Sequence, residues 1–338
     1  MVISLDMKKI KIILEAGVNH NGSLVRAKKM IKIAKKVGAD YVKFQSFITD
    51  ELVLENAKLA NYQKKNLRRK ITQYHMLKKL EISKKTTKSL INYCKKNKIK
   101  FLSSVFGIKS FNILHALNVN EIKIPSGEIN NIPLLDHISN YKKKIILSTG
   151  MANLDEVEIA IKTLTKKKIS IKDITILHCN TDYPTKLNDV NLKAMTEMGK
   201  KFNVRYGYSD HTNSQLVPIV AATLGATIIE KHFTLSKKLS GPDHKASMNI
   251  QETNQMLKNL ENTIIILGKS KKEVTASEKK NIKIVRKSVY ASKFISKGDY
   301  FSLDNLKICR PGLGKPPAYL FKIIGKKSSK NYKRNQLI

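Results

Sequence analysis

The chain has 338 residues, 41% of them hydrophobic, and a formal charge of +38 from 64 Lys and Arg against 26 Asp and Glu. That length suits one large α/β domain with a small appendage, and no apolar run approaches the ~18 residues of a membrane-spanning helix. The cysteines Cys94, Cys179 and Cys309 are far apart with no CxxC pair, which argues against a disulfide framework or a zinc knuckle.

Residues 1–11 lack the apolar stretch and small-residue cleavage site of a signal peptide, so a cytoplasmic location is expected. The positive charge first suggests nucleic acid. Yet it is almost all lysine spread over helix faces, with arginine confined to sites such as Arg26, Arg68, Arg69, Arg205, Arg286, Arg310 and Arg334. Aromatic residues make up only 7% of the chain and tryptophan is absent, so the surface lacks the interleaved stacking groups of an RNA binder. No nucleic-acid or membrane partner is expected, and a basic RNA-binding protein without catalysis is the remote alternative. A positive field would still help to collect an anionic substrate.

Strand-like apolar runs alternate along the chain with amphipathic helical runs, as in parallel α/β architecture. Strands are predicted over 11–17, 41–47, 100–105, 121–126, 144–149, 174–179, 204–209 and 227–233, mostly continuous in hydrophobicity, as strands buried on both faces should be. Ser23 is a plausible N-cap for a helix with Leu24, Ala27, Met30, Ile31 and Ala34 on one face, stopped by Gly38. Further helices are predicted to open at Asn153 and at Gln215, and to cover 250–267. Eight β/α units in roughly 250 residues match a TIM (β/α)₈ barrel.

One connection is far longer than the others: 48–84, with Tyr62, Tyr74 and His75, is either a solvated insertion or an excursion over the catalytic face. Residues 269–284 are almost entirely polar and are expected to be a linker between a catalytic domain, 1–268, and a small domain, 285–338, of short runs and turns.

Barrel chemistry occurs where the βα loops converge, at the C-terminal strand ends. Glu15 ends the first predicted strand, Lys43 and Gln45 the second, Ser103 and Ser104 the third, and Lys123, Ser126 and Glu128 the fourth. Ser148 and Thr149 end the fifth, His178, Asn180, Thr181 and Tyr183 the sixth, Ser209, Asp210 and His211 the seventh, and Glu230, Lys231 and His232 the eighth. His211 and His232 end neighbouring strands, so two neutral imidazoles with open positions beside them suit a divalent ion such as Mn²⁺, Co²⁺ or Mg²⁺. Lysine inside an apolar strand is costly unless paired or functional. Lys43 and Lys123 either pair with Glu15 and Glu128, or hold a phosphate and a carboxylate together with Ser104, Ser126, Ser148 and Ser209; a Schiff base on Lys123 is a third option.

Taken together, EAGVNHNG (15–22), VKFQSF (42–47), FLSSVF (101–106), KIPSGEI (123–129), ILSTGM (146–151), GYSDHT (207–212), EKHFTL (230–235) and GPDHKAS (241–247) resemble the N-acetylneuraminate (sialic acid) synthase family. The tail, with RKSVYASKFISKGD and RPGLG, resembles that family's C-terminal antifreeze-like (SAF, β-clip) domain.

The resemblance implies an enzyme that condenses phosphoenolpyruvate with N-acetylmannosamine and water to give N-acetylneuraminate and phosphate. It also implies a divalent metal, Mn²⁺ foremost, and a domain-swapped homodimer. His211 and His232 become metal ligands, and Glu15, Lys43 and Lys123 catalytic groups. Lys43, Ser104, Lys123, Ser126, Ser148 and Ser209 would hold phosphoenolpyruvate, while Gln45, Tyr183, Asp243 and Arg310 would contact the N-acetylated amino sugar. Thr181 stands where some sialic acid synthases carry asparagine, and Lys315 in GLGKPP where an apolar residue is more usual. KIPSGE and GYSDHT look less like pseudaminate synthases. An N,N′-diacetyllegionaminate synthase acting on a 2,4-diacetamido-trideoxymannose acceptor is the alternative.

Overall fold

The structure is a computed structural model that describes residues 10–67 and 71–338; residues 1–9 and 68–70, which include Arg68 and Arg69, lie outside it. Eight parallel strands close into a barrel in chain order: β1 (Lys11–Gly17), β2 (Tyr41–Phe47), β3 (Lys100–Phe106), β4 (Glu121–Ile124), β5 (Lys144–Ser148), β6 (Ile174–Cys179), β7 (Arg205–Asp210) and β8 (Ile228–His232). The helices begin with α1 (Leu24–Lys36), then α2 (Thr49–Leu52), α3 (Asn61–Leu67) and α4 (Gln73–Lys78) in the long connection, then α5 (Lys84–Lys96) and α6 (Ile108–Ala116). They continue with α7 (Ile132–Ser139), α8 (Leu154–Thr165), α9 (Leu192–Phe202), α10 (Leu216–Thr223) and α11 (Ile250–Leu267).

Local sequence sets these boundaries. The Ser23 side chain accepts from Arg26 N, and Ala27, Met30, Ile31 and Ala34 are buried at the spacing of one helical face. Asn153 and Glu156 close a reciprocal cap on α8, as Asn249 and Glu252 do on α11. β4 stops two residues before the predicted end, because Pro125 has no N–H for a ladder bond and Ser126–Glu128 turn into a 3₁₀ helix.

Alternation along each strand divides the side chains. Outward residues such as Leu14, Val42 and Ile229 join the apolar layer under the helices, whereas Ile13, Tyr41, Leu102, Ile146, Leu177 and Ile228 form a separate cluster filling the barrel floor. Gly207 belongs to that floor because a Cβ there would collide with the Ile228 carbonyl oxygen and crowd Leu177. Above the floor the inward positions turn polar. Register sets Glu15 beside Lys43 and His232, Ser104 beside Lys123, and Ser209 beside Glu230.

Met1–Gly268 and Lys269–Ile338 form two compact units. In the second, β9 (Ser288–Ala291) pairs antiparallel with β10 (Leu306–Cys309), and a core of Val289, Ala291, Ile295, Phe301, Leu306, Leu320, Ile323 and Tyr332 holds the turns together. Segment 269–284, expected as a linker, carries two short helices, α12 (Ala276–Lys279) and α13 (Ile282–Val285). Thr275 and Glu278 cap α12 reciprocally, and Gly312 N donates to Lys283 O at 2.8 Å, which ties the segment to the second unit. No helix among the described residues is long and apolar enough to cross a membrane.

Between β7 and β8, Asp210 and Lys231 face away from the lumen and form a buried ion pair. Lys231 Nζ also donates to Thr212 O at 2.8 Å, and Asp210 Oδ1 accepts from Thr212 N at 2.8 Å. Removing one charge strands the other in apolar surroundings, so Lys231→Met is expected to lower unfolding stability in urea by roughly 3 kcal/mol. Asp210→Asn combined with Lys231→Met should recover much of that loss.

Candidate active site

At the C-terminal end of the barrel a cavity of about 540 Å³ is lined by Glu15, Lys43, Gln45, Ser104, Lys123, Ser126, Ser148, Cys179, Thr181, Tyr183, Ser209, His211, Glu230 and His232. The long connection adds Ala60, Asn61, Tyr62, Gln63 and Gln73, so it walls the site rather than running through solvent. Tyr74 and His75 are not in that wall: Tyr74 Oη donates to Asp50 Oδ1 at 2.6 Å and His75 pairs with Thr72 at 2.8 Å.

Glu230 organises the floor of the cavity. Its Oε1 accepts from Lys43 Nζ at 2.8 Å, Lys123 Nζ at 2.9 Å and Ser209 Oγ at 2.9 Å, and Oε2 accepts from Lys123 at 3.2 Å. Glu230 was not among the expected site residues, although strand parity points to it: His232 faces the lumen, so the residue two earlier does too. Glu128, offered as a partner for the lysines, plays no such part. It follows the 3₁₀ turn and accepts instead from Asn131 Nδ2 at 2.6 Å.

Burial opposes every charge in this group. For Glu230 desolvation is outweighed by Lys123 and Lys43, and its carboxyl titrates well below the usual range. Desolvation also works against Lys43, but Glu15 and Glu230 more than restore its charged form and raise its pKa. Desolvation prevails at Lys123, whose ammonium is pushed down. Glu15 lies 3.7 Å from Lys43 and accepts from Gln45 Nε2 at 3.3 Å, while its Oε2 is buried without a partner. Burial lifts its pKa to about 7 against the pull of Lys43. To the extent that Glu15 is protonated, the Lys43 and Lys123 side chains face a single carboxylate, that of Glu230.

The serines stand around this floor. Ser126 Oγ accepts from Gly150 N at 3.0 Å and lies 3.2 Å from Cys179 Sγ, and Ser148 Oγ is buried with no partner. Gly150 has to lack a side chain, since a Cβ there would lie 2.5 Å from Thr181 Oγ1 and 2.8 Å from Ser126 Oγ.

The two imidazoles meet at the rim with ring centroids 5.5 Å apart. His211 Nδ1 lies 2.5 Å from the Asn180 carbonyl oxygen, which can only accept, so Nδ1 carries the proton and Nε2 keeps its lone pair. Desolvation lowers the His211 pKa to about 4 and holds His232 well below its ordinary value, so both rings are neutral near pH 7. His232 Nδ1 is buried with no partner. Among the described residues no group of three or more His, Cys, Asp or Glu side chains gathers as a metal set. Two neutral imidazoles beside open cavity therefore fit a divalent ion that keeps other positions for water or substrate.

Two expected sugar contacts sit differently from the rest. Asp243 is buried against Tyr62 and is not part of the lining, while Tyr62 is. Arg310 follows β10 in the second unit.

The NeuB family model matches residues 30–272. The chain belongs to the NeuB family. Its class is that of the nonulosonic acid synthases. It is 48% identical to the N,N′-diacetyllegionaminic acid synthase of Campylobacter jejuni, over 98% of this chain and 99% of that one. It is 42% identical to the synthase of the same name from Legionella pneumophila, over 95% and 90%. Among solved structures, the N-acetylneuraminic acid synthetase of Leptospira borgpetersenii, crystallised with citrate, matches with a TM-score of 0.71 and 33% identity over 81% of this chain and 90% of that one.

The raised pKa of Glu15 gives a pH test. Its protonated form is favoured by folding, so the stability it contributes is complete below about pH 4.5 and is lost as pH rises through about 7. Glu15→Gln should therefore gain on the wild type across that interval, by no more than about 3 kcal/mol, and run parallel to it above and below. Urea denaturation at pH 4, 5.5, 7 and 8.5 measures the difference.

Proposed function

We propose that the enzyme condenses phosphoenolpyruvate with 2,4-diacetamido-2,4,6-trideoxymannose and water to give N,N′-diacetyllegionaminate and phosphate. The acceptor first expected was N-acetylmannosamine. The diacetamido sugar is preferred because the chain is 48% identical to the Campylobacter jejuni enzyme of that name along almost its full length, against 33% for the sialic acid synthetase.

The residues divide the work. Lys43 and Lys123 hold the phosphate and carboxylate of phosphoenolpyruvate, with Ser104, Ser126 and Ser148 donating hydrogen bonds to the same anion and Ser209 turning its proton from Glu230 to it. Glu230 favours the charged form of both lysines and aims them at one point. The nucleophilic C3 of phosphoenolpyruvate forms the new bond to the acceptor's aldehyde carbon, water adds at C2, and the C2–O bond to phosphate breaks. A divalent ion held by His211 and His232, Mn²⁺ foremost, would polarise the aldehyde as a Lewis acid. Glu15, whose pKa raised to about 7 leaves a share of it protonated at neutral pH, is placed to give a proton to the oxygen that was the aldehyde. Gln45 and Tyr183 line the sugar's path, and holding both reactants in one cavity supplies proximity.

Several features complete this reading. Unit 2 acts as an antifreeze-like (SAF) domain that offers Arg310 to a second subunit of a domain-swapped homodimer, and the reaction runs in the cytoplasm.

Phosphate release and product mass from phosphoenolpyruvate and a panel of amino sugars test the reaction. The diacetamido sugar should be turned over at least about tenfold more efficiently than N-acetylmannosamine; the reverse order would return the assignment to sialic acid. His211→Ala and His232→Ala should each lower metal-stimulated turnover by about a thousandfold or more and abolish Mn²⁺ binding measured by electron paramagnetic resonance, with thermal unfolding little changed.

A further inference from the structure

The cavity has an aromatic wall that the anion and the imidazole pair do not account for. The Tyr183 ring lies 4.2 Å from that of His211 and 5.8 Å from that of His232, whose own rings are 5.5 Å apart, and the Tyr62 ring lies 5.1 Å from that of Tyr183. Tyr62 comes from α3, in the long connection, and its ring packs on Tyr183.

Tyr62 is held firmly for a residue on so short a helix. Its hydroxyl is hydrogen-bonded to the buried Asp243, and Gln63 Nε2 donates to it at 3.3 Å. Asn66 Nδ2 donates to Pro242 O at 2.6 Å, which ties α3 to the loop carrying Asp243. The buried Asp243 carboxyl thus stands beside this phenol.

On the far side of Tyr62 and Tyr183 lies a second cavity of about 320 Å³, which shares Asn61, Tyr62, Asp182 and Tyr183 with the first and adds Asn66, Asn213 and Lys245. An open six-carbon chain whose aldehyde sits at the imidazoles and which runs along this wall brings its fourth to sixth carbons to Tyr62. Side-chain amides there supply both donors and acceptors, and the two rings supply flat apolar faces. An acetamido group with a neighbouring methyl matches that lining. A run of hydroxyls would leave the ring faces without an apolar partner.

We propose that Tyr62 is the residue that determines acceptor specificity at the end remote from the aldehyde, by stacking on an acetamido group whose acetyl enters the second cavity, with Asp243 as its positioning residue. This rests on the condensation reaction proposed above and names a subsite for it.

The test compares kcat/KM for the diacetamido sugar and for N-acetylmannosamine in wild type, Tyr62→Ala and Tyr62→Phe, with the KM for phosphoenolpyruvate measured in each. Tyr62→Ala should reduce the diacetamido preference by about tenfold or more through the acceptor's KM, leaving the KM for phosphoenolpyruvate within about twofold. Tyr62→Phe, which keeps the ring, should hold most of the preference. An unchanged ratio in Tyr62→Ala overturns the assignment, as does an equal loss for both acceptors. Should Tyr62→Ala fail to fold, Tyr62→Leu, which fills the space without a flat face, gives the same comparison. A wild type that prefers N-acetylmannosamine overturns the acceptor reading; Tyr62 is then judged by whether the ratio moves. A wild type that turns over neither sugar overturns both.

Discussion

Everything at the catalytic end of this barrel depends on one buried carboxylate holding two buried ammonium groups. Lys43, Lys123 and Glu230 come from three strands, and each is almost wholly removed from water. Breaking such a group strands a charge in the interior, which costs several kcal/mol. The Lys43 and Lys123 side chains cannot relax into solvent, and burial shifts Glu15 toward its neutral form. The floor thus presents two fixed lysines that a substrate anion can engage at little reorganisation cost. That is a site built for a phosphate or carboxylate before any acceptor arrives.

The rest of the site is arranged around that floor. The imidazole pair stands at the rim because β7 and β8 end side by side, and the outward Asp210–Lys231 pair fixes those two ends against each other. The long connection extends this rim with Tyr62, which packs on Tyr183, so a sugar entering the cavity meets a charged floor and an aromatic wall. The two walls ask for different chemistry. One suits the anion shared by the whole class of reaction, and the other suits the acceptor in which its members differ.

Much of the fold was legible because strands buried on both faces read as continuous apolar runs, and because Ser23, Asn153 and Asn249 announce their helices by capping. Polar residues at strand ends pointed to most of the lining, since the βα loops of a barrel converge on one face. Glu230 was passed over because it stands beside Lys231 and His232 in a run whose side chains alternate between lumen and helix layer, and only parity separates them. Glu128 was read as a partner for the lysines because it closes the fourth segment. Pro125 ends that strand early, and the turn carries Glu128 away. Tyr62 was named in the long connection, but nothing set it apart from Tyr74 and His75: an insertion has no period, and its approach to Tyr183 exists only once the barrel is closed.

The central claim is that the floor binds an anion through Lys43 and Lys123 without help from metal or acceptor. Calorimetric titration of phosphoenolpyruvate into the chelated enzyme, with no amino sugar present, tests it most directly. Wild type should bind, and Lys123→Met, folded by circular dichroism, should bind about a hundredfold more weakly or not at all. Equal affinities in the two proteins would contradict the account.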